Sequence, residues 1–180
     1  MTIDERGNVV WTRESDDHRL YYVNNNGVWS DDYVSVSDRS ILDDLTKTEA
    51  KVDGGAKVSS HTSKTGINDI FKVFKFASDK TKVEWAVHRN GDTYTIGTKH
   101  DSSNASSWKD YMDEQPNATV HSHPGIDIDN EISSMGYGTN FYTTDQRNVI
   151  NDVRQNGYIT RKSYVYFPNS SRLYIIGTVV

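Results

Sequence analysis

The segment ATVHSHP at residues 118–124 begins with alternating apolar and polar side chains, a period of two that is typical of a β-strand. Its histidines, His121 and His123, are two positions apart, so on a strand their side chains share one face. Pro124 ends the segment, because proline has no amide hydrogen to donate to a neighbouring strand. The pattern therefore predicts two imidazoles placed to bind the same metal ion.

A third metal ligand is predicted at Asp145, in the segment TTDQ at residues 143–146. Thr143 and Gln146 fit a capping box, which predicts that a helix begins here with Asp145 in its first turn. The helix dipole favours the ionised carboxylate at that position, and a metal binds this form. Two histidines, one aspartate and an open fourth position are typical of catalytic zinc. Structural zinc sites are usually closed by thiolates, and the chain has no cysteine.

Two aspartates that lie closer to the histidines are rival third ligands. Asp127 and Asp129 follow His123 in a loop predicted over residues 125–140. No helix start holds these two carboxylates, so they are expected to line a solvated loop, and this favours Asp145 as the ligand. The metal-free alternative is that the two histidines simply lie on a solvated strand face.

Glu84 is the candidate general base. It lies in KVEWAV at residues 82–87, a predicted strand with Val83, Trp85 and Val87 on one face. Glu84 is therefore on the opposite face, where a carboxylate could take a proton from metal-bound water and pass it to a leaving amine. The alternative is an ordinary solvated glutamate.

The other four histidines have no partners by sequence spacing and are predicted to lie at the surface. His88 is the one that could support the site, because it shares the face of Glu84. The four are His18, His61, His88 and His100.

The order of these residues resembles the JAB/MPN (JAMM) metalloproteases, whose pattern is a glutamate, then His-x-His-Pro, then Ser-x-x-Asp. Glu84, the histidine segment at residues 121–124 and Asp145 stand in that order. Within this superfamily the chain is most similar to the JAB-like toxin domains of bacterial Rhs-type polymorphic toxins. The resemblance covers roughly residues 65–180, and the four-part order is more specific than His-Ser-His-Pro alone.

The resemblance implies a zinc-dependent peptidase or isopeptidase in which Zn²⁺ is bound by His121, His123 and Asp145. A protein or peptide is the implied substrate, a toxin the implied biological role, and an immunity protein the implied partner. The sequence departs from the family pattern in two ways. Asp145 follows His123 by 22 positions, which implies an inserted loop, and Tyr142 stands where the family has serine.

The family serine supports the oxyanion, and Tyr142, Thr143 or Thr144 is the predicted substitute. The rival from another functional class is a catalytically inactive JAB/MPN-like module that binds other proteins. Tyr142 in place of serine is the feature that favours this rival.

Composition sets broad limits on the class of protein. The chain has 180 residues, 34% of them apolar, and a net charge of −5, so neither a nucleic-acid partner nor a membrane is expected. Its first ten residues do not fit a signal peptide. The chain is therefore expected to be either cytoplasmic or the C-terminal part of a larger exported protein.

The expected fold class is α+β, with a JAB/MPN-like mixed sheet flanked by helices and an N-terminal β-hairpin extension. Two parts are predicted: residues 1–45, with strands and a short helix at a junction to a larger protein, and residues 65–180, the metalloprotease-like domain. The predicted elements are strands at 9–12 and 19–23, a helix at 37–45, a loop at 47–65, a helix at 66–77 with Thr65 as N-cap, a hairpin turn at 90–92, a short helix at 108–112, a helix at 144–156, and strands at 158–167 and 172–179.

Overall fold

The computed structural model describes residues 1–12, 16–50, 57–102, 116–125 and 162–178. Within these ranges two β-sheets pack with two helices, which confirms the α+β class. None of the helices in the described ranges is long and apolar enough to cross a membrane. The predicted helices at 108–112 and 144–156 lie outside the described residues.

The N-terminal sheet has the strand order β2-β1-β3-β4. Its strands are β1 (Thr2–Ile3), β2 (Val9–Trp11), β3 (Arg19–Val23) and β4 (Trp29–Ser35). A turn at residues 24–27 joins β3 to antiparallel β4. The predicted strands at 9–12 and 19–23 do not pair with each other as a hairpin, however. Strand β1 lies between β2 and β3, antiparallel to β2 and parallel to β3. Ile3 of β1 is buried in the core, but a two-residue strand leaves no alternation to detect in the sequence.

Two helices form where the sequence predicts them. Helix α1 (Ser40–Leu45) begins three residues later than expected and buries its three apolar side chains. Helix α2 (Ile67–Lys80) buries one apolar face and ends three residues later than expected. Thr65 is not the N-cap: Gly66 takes that position with φ of 75°, a left-handed conformation that glycine adopts readily.

The large sheet has the strand order β11-β10-β9-β7-β8-β6-β5. Its strands are β5 (Glu49–Ala50), β6 (Lys57–Ser63), β7 (Trp85–Asn90), β8 (Thr93–Thr98), β9 (Ala118–Ser122), β10 (Lys162–Phe167) and β11 (Arg172–Thr178). The predicted β7–β8 hairpin is confirmed. Strands β10 and β11 lie within the predicted strands at 158–167 and 172–179, and they pair antiparallel. The predicted loop at 47–65 is wrong because it contains β5 and β6. Strand β6 is polar in sequence and forms because β8 pairs with it.

One hydrophobic cluster joins the N-terminal sheet, both helices and one face of the large sheet. Trp85 and Val87 of β7 lie in this cluster, as does Val120 of β9. Because side chains alternate along a strand, the neighbours of these residues lie on the other face of the sheet. Trp85 and Val87 point towards α2, so Ala86 of β7 and His121 of β9 point away from it.

Asp69, in the first turn of α2, connects that helix to the segment that leads into α1. Its carboxylate is only 4% exposed and accepts hydrogen bonds from the amides of Ser37 (2.6 Å) and Asp38 (3.3 Å) and from Lys72 Nζ (3.1 Å). Burial opposes ionisation, but the hydrogen bonds from Ser37 and Lys72 outweigh it and hold the pKa of Asp69 below its ordinary value.

Asp69→Asn is expected to lower the free energy of unfolding by about 2 kcal/mol near neutral pH, because hydrogen bonds to a buried charge are lost. Because the pKa of Asp69 is lower in the folded than in the unfolded state, the carboxylate stabilises the fold at pH values above the unfolded pKa, about 3.9. That stabilisation is lost as the pH falls through the folded-state pKa. Urea denaturation of parent and variant at neutral pH and at about pH 3 measures both effects. Asp92→Asn, in the exposed β7–β8 turn, is the control, and an equal loss there would contradict the assignment.

Candidate metal centre

Strand β9 brings the two histidines of the central motif together. His121 lies on β9, and His123 follows its last residue, with its amide donating to the Tyr166 carbonyl at 2.9 Å. The Nε2 atoms of the two rings are 3.1 Å apart, and the ring centroids are 4.9 Å apart. The two imidazoles therefore converge on one point beside the sheet.

This distance suits a shared metal ion. Two nitrogens that each lie about 2.0–2.1 Å from a tetrahedral zinc are about 3.3 Å apart, close to the separation of the Nε2 atoms of His121 and His123. Without a metal, the same contact is a hydrogen bond, which requires one ring to carry its proton on Nε2 and the other to accept it. The donor chemistry and the spacing both fit Zn²⁺.

The pairing of β7 with β9 brings Glu84 to the same face as the histidines. Ala86 of β7 pairs with His121 in the antiparallel register, and directly opposed residues share a face. The observed pairing ends at Ala86 and His121, and the same register extended by two residues would set Glu84, just before β7, opposite His123. The sequence-based prediction that Glu84 and Trp85 lie on opposite faces therefore agrees with the register.

The backbone of Glu84 is fixed on both sides. Its amide donates to the Asp101 carbonyl at 2.8 Å, and its carbonyl accepts from Thr98 Oγ1 at 2.8 Å. The residue is 5% exposed. A carboxylate on so constrained a backbone position loses little conformational freedom when it meets a reacting group.

An aromatic wall lies beside the histidine pair. The Phe167 ring meets His123 edge to face with centroids 5.6 Å apart, and Tyr174 meets Phe167 at 5.7 Å. Val165 pairs with His121 across the parallel β9–β10 contact and is buried. Sequence reasoning did not assign Phe167 to the site, because the pairing of β10 with β9 has no local signature.

The prediction that the other four histidines lie at the surface is wrong for His61 and His88. His61 and His88 are buried, and His61 Nδ1 lies 2.8 Å from Asp44 Oδ2. His18 and His100 are half-buried, and His100 Nε2 lies 3.1 Å from the Ser59 hydroxyl. These partners are distant in sequence, so spacing alone could not find them. His88 pairs with Thr119 on the face of Glu84, where a supporting role was expected.

The remaining predicted site residues lie outside the described residues. In the described ranges no group of three His, Cys, Asp or Glu side chains is close enough to hold a metal ion. The described part of the chain thus contains two candidate ligands and one candidate base, and a third ligand for a metal would have to come from outside it. The predicted residues outside the described ranges are Asp145, Tyr142, Thr143, Thr144, Asp127 and Asp129.

Ser122, between the two histidines, links their strand to that of Glu84. Its side-chain oxygen accepts the amide hydrogen of Trp85 at 3.0 Å, and both residues are fully buried. Ser122→Ala is expected to lower the free energy of unfolding by about 1–3 kcal/mol, because a buried amide is left without an acceptor. Thermal or urea denaturation measures the change. Ser60→Ala, half-buried on β6, is the matched control, and equal losses would argue against this role.

The segment that carries the histidine pair matches a known protein family. The model of the family described as JAB-like toxin 1 matches residues 62–154, a span that contains Glu84, both histidines and Asp145. Neither a curated protein nor a solved structure matches the chain.

Proposed function

Because the chain belongs to the JAB-like toxin 1 family, we propose that it is a zinc-dependent peptidase or isopeptidase with a JAB/MPN-type arrangement of its sheet and helices, acting as a toxin domain. The observation that carries this proposal is the 3.1 Å separation of two Nε2 atoms on the sheet face that Glu84 also occupies. Two convergent imidazoles and a nearby carboxylate are the groups that hydrolysis by a metal centre requires.

His121 and His123 would hold the zinc through Nε2, and Asp145 would complete the protein ligands, which leaves one coordination position open. Zinc, when bound, supplies a Lewis acid and water of lowered pKa. The edge-to-face contact of Phe167 restrains the ring of His123 and covers one side of it with an apolar group. A ring that packing holds in one orientation favours a single geometry of metal binding.

Glu84 would act as the proton carrier of the reaction. Its carboxylate takes a proton from the attacking water and delivers it to the nitrogen of the leaving amine as the amide bond breaks. Burial keeps competing bulk water away, and the fixed backbone holds the group in place. Tyr142 or Thr143 would donate a hydrogen bond to the oxygen that gains charge on the substrate carbonyl.

The substrate class that this chemistry serves is a protein or peptide, and an immunity protein would be the natural partner of a toxin. The second candidate function is a metal-free module that binds proteins without cleaving them. Tyr142 at the family serine position favours this second candidate.

A direct test compares hydrolysis of peptide and isopeptide substrates by the zinc-loaded and chelator-treated protein. We expect the chelator to abolish cleavage and added zinc to restore it. Both the activation of water and the stabilisation of the oxyanion depend on the bound metal. Zinc-loaded protein without cleavage of a broad protein mixture would favour the binding module instead.

A further inference from the structure

A groove of about 620 Å³ runs along the face of the large sheet opposite to the histidines, beside α2. Val87 pairs with Val120, and Tyr164 also pairs with Val120, so these side chains share the face that packs towards α2. His121, one residue further along β9, points the other way. The residues that line the groove are Phe71, Phe74, Lys75, Val87, Arg89, Tyr94, Ala118, Thr119, Val120, Lys162, Tyr164, Tyr166 and Leu173.

The groove is positively charged in a chain whose net charge is −5. Its charged lining residues in the described part of the chain are Lys75, Arg89 and Lys162. Lys75 forms an ion pair with Asp79, so the positive charge of the groove rests on Arg89 and Lys162. Arg89 and Lys162 both pair with Ala118, from strands on either side, so their Cα atoms are about 10 Å apart. The guanidinium of Arg89 is held over the Tyr94 ring at 5.6 Å, and Lys162 is exposed.

The walls and mouth of the groove are apolar. Phe71 packs edge to face against Tyr94 at 6.3 Å and is still 41% exposed. Leu173 of β11, at the other end, is 58% exposed, and Ile175 next to it on the same strand is also exposed. Large apolar side chains that remain open around a concave surface are typical of a binding site.

We propose that this groove binds an acidic segment of a partner protein that carries both carboxylates and large apolar side chains. The carboxylates would meet Arg89 and Lys162, and the apolar side chains would cover Phe71 and Leu173. A nucleic acid fits less well, because two cations offer little to a polyphosphate and the apolar floor would desolvate its backbone. The inference concerns the sheet face away from the metal centre and requires no metal.

The test uses a fluorescent peptide that alternates aspartate with leucine, titrated by anisotropy into the full chain in the presence of a chelator. Saturable binding that weakens with salt is expected. Lys162→Glu should weaken binding about tenfold, since attraction becomes repulsion, and Leu173→Ser should weaken it about fivefold. The controls are Lys64→Glu, which makes the same change, and Val28→Ser, which likewise replaces an apolar side chain by serine. Both positions are exposed and lie outside the groove, so both variants should bind as the parent does. Circular dichroism confirms that each variant folds.

Several results would overturn the proposal. These are no saturable binding up to the solubility limit of the peptide, equal binding of a lysine-for-aspartate peptide, and equal losses in the control variants. Tighter binding of single-stranded oligonucleotide that displaces the peptide would assign the groove to nucleic acid instead. A parent dimer in sedimentation that Leu173→Ser dissociates would assign it to a second copy of the chain.

Discussion

Glu84→Gln is expected to leave zinc content and fold unchanged while it lowers the peptidase rate by about 10²–10⁴-fold, the usual value of general acid–base help. Glutamine keeps the size and the hydrogen-bonding capacity of the side chain but cannot carry a proton. The backbone hydrogen bonds to Asp101 and Thr98 do not involve the carboxylate, so they persist in the variant. Rates at saturating zinc, together with elemental analysis, separate the loss of a base from the loss of a ligand.

Glu5→Gln provides the matched control, because it makes the same chemical change at a half-buried glutamate of the N-terminal region that is paired with Lys82. That variant should cleave as the parent does. A Glu84→Gln protein that cleaves at the parental rate would make Glu84 a strand-end residue without a catalytic role. If the variant instead lost its zinc, Glu84 would be a ligand, and the assignment of Asp145 would have to be reconsidered.

The sequence predicts well those elements whose pattern is local. Helix α2 is predicted because Ile70 and Phe74 recur at helical spacing, and the β7–β8 hairpin because Gly91-Asp92 separates two strand-like runs. Strand β6 was missed because its polar side chains form a strand only through pairing with β8. The position of β1 between β2 and β3 was missed for the same reason. Pairing between distant strands carries no local signal.

Some features of the candidate site follow from the local sequence, and others depend on tertiary packing. The shared face of His121 and His123 follows from the period of two, and the face of Glu84 follows from its buried neighbours. Burial of His61 against Asp44 and the contact of Phe167 with His123 depend on tertiary packing, so the sequence could not supply them. The role of Ser122 as an acceptor for a backbone amide could likewise be seen only once β7 and β9 were placed side by side.

His121→Ala is expected to abolish zinc binding in a chain that otherwise holds about one Zn²⁺. Removing even a hydrogen-bond partner of a metal ligand typically costs about 10–100-fold in affinity, so removing a ligand should cost more than about 100-fold. Because the Nε2 atoms of His121 and His123 are 3.1 Å apart, both rings would bind the same ion, and loss of either ring removes one of its proposed ligands. Elemental analysis after dialysis against a weak chelator measures the stoichiometry.

His18→Ala is the control, because His18 precedes β3 in the N-terminal part of the chain and belongs to no predicted ligand set. It should retain the parental zinc content. If the parent protein holds no metal after refolding with excess zinc, the metal hypothesis is wrong. The 3.1 Å contact between the two Nε2 atoms is then an N–H···N hydrogen bond. Stoichiometric zinc in His121→Ala would place the metal elsewhere in the chain. Zinc that is lost in His121→Ala but kept in Glu84→Gln would separate the ligand from the base, the division of roles on which the proposed hydrolysis depends.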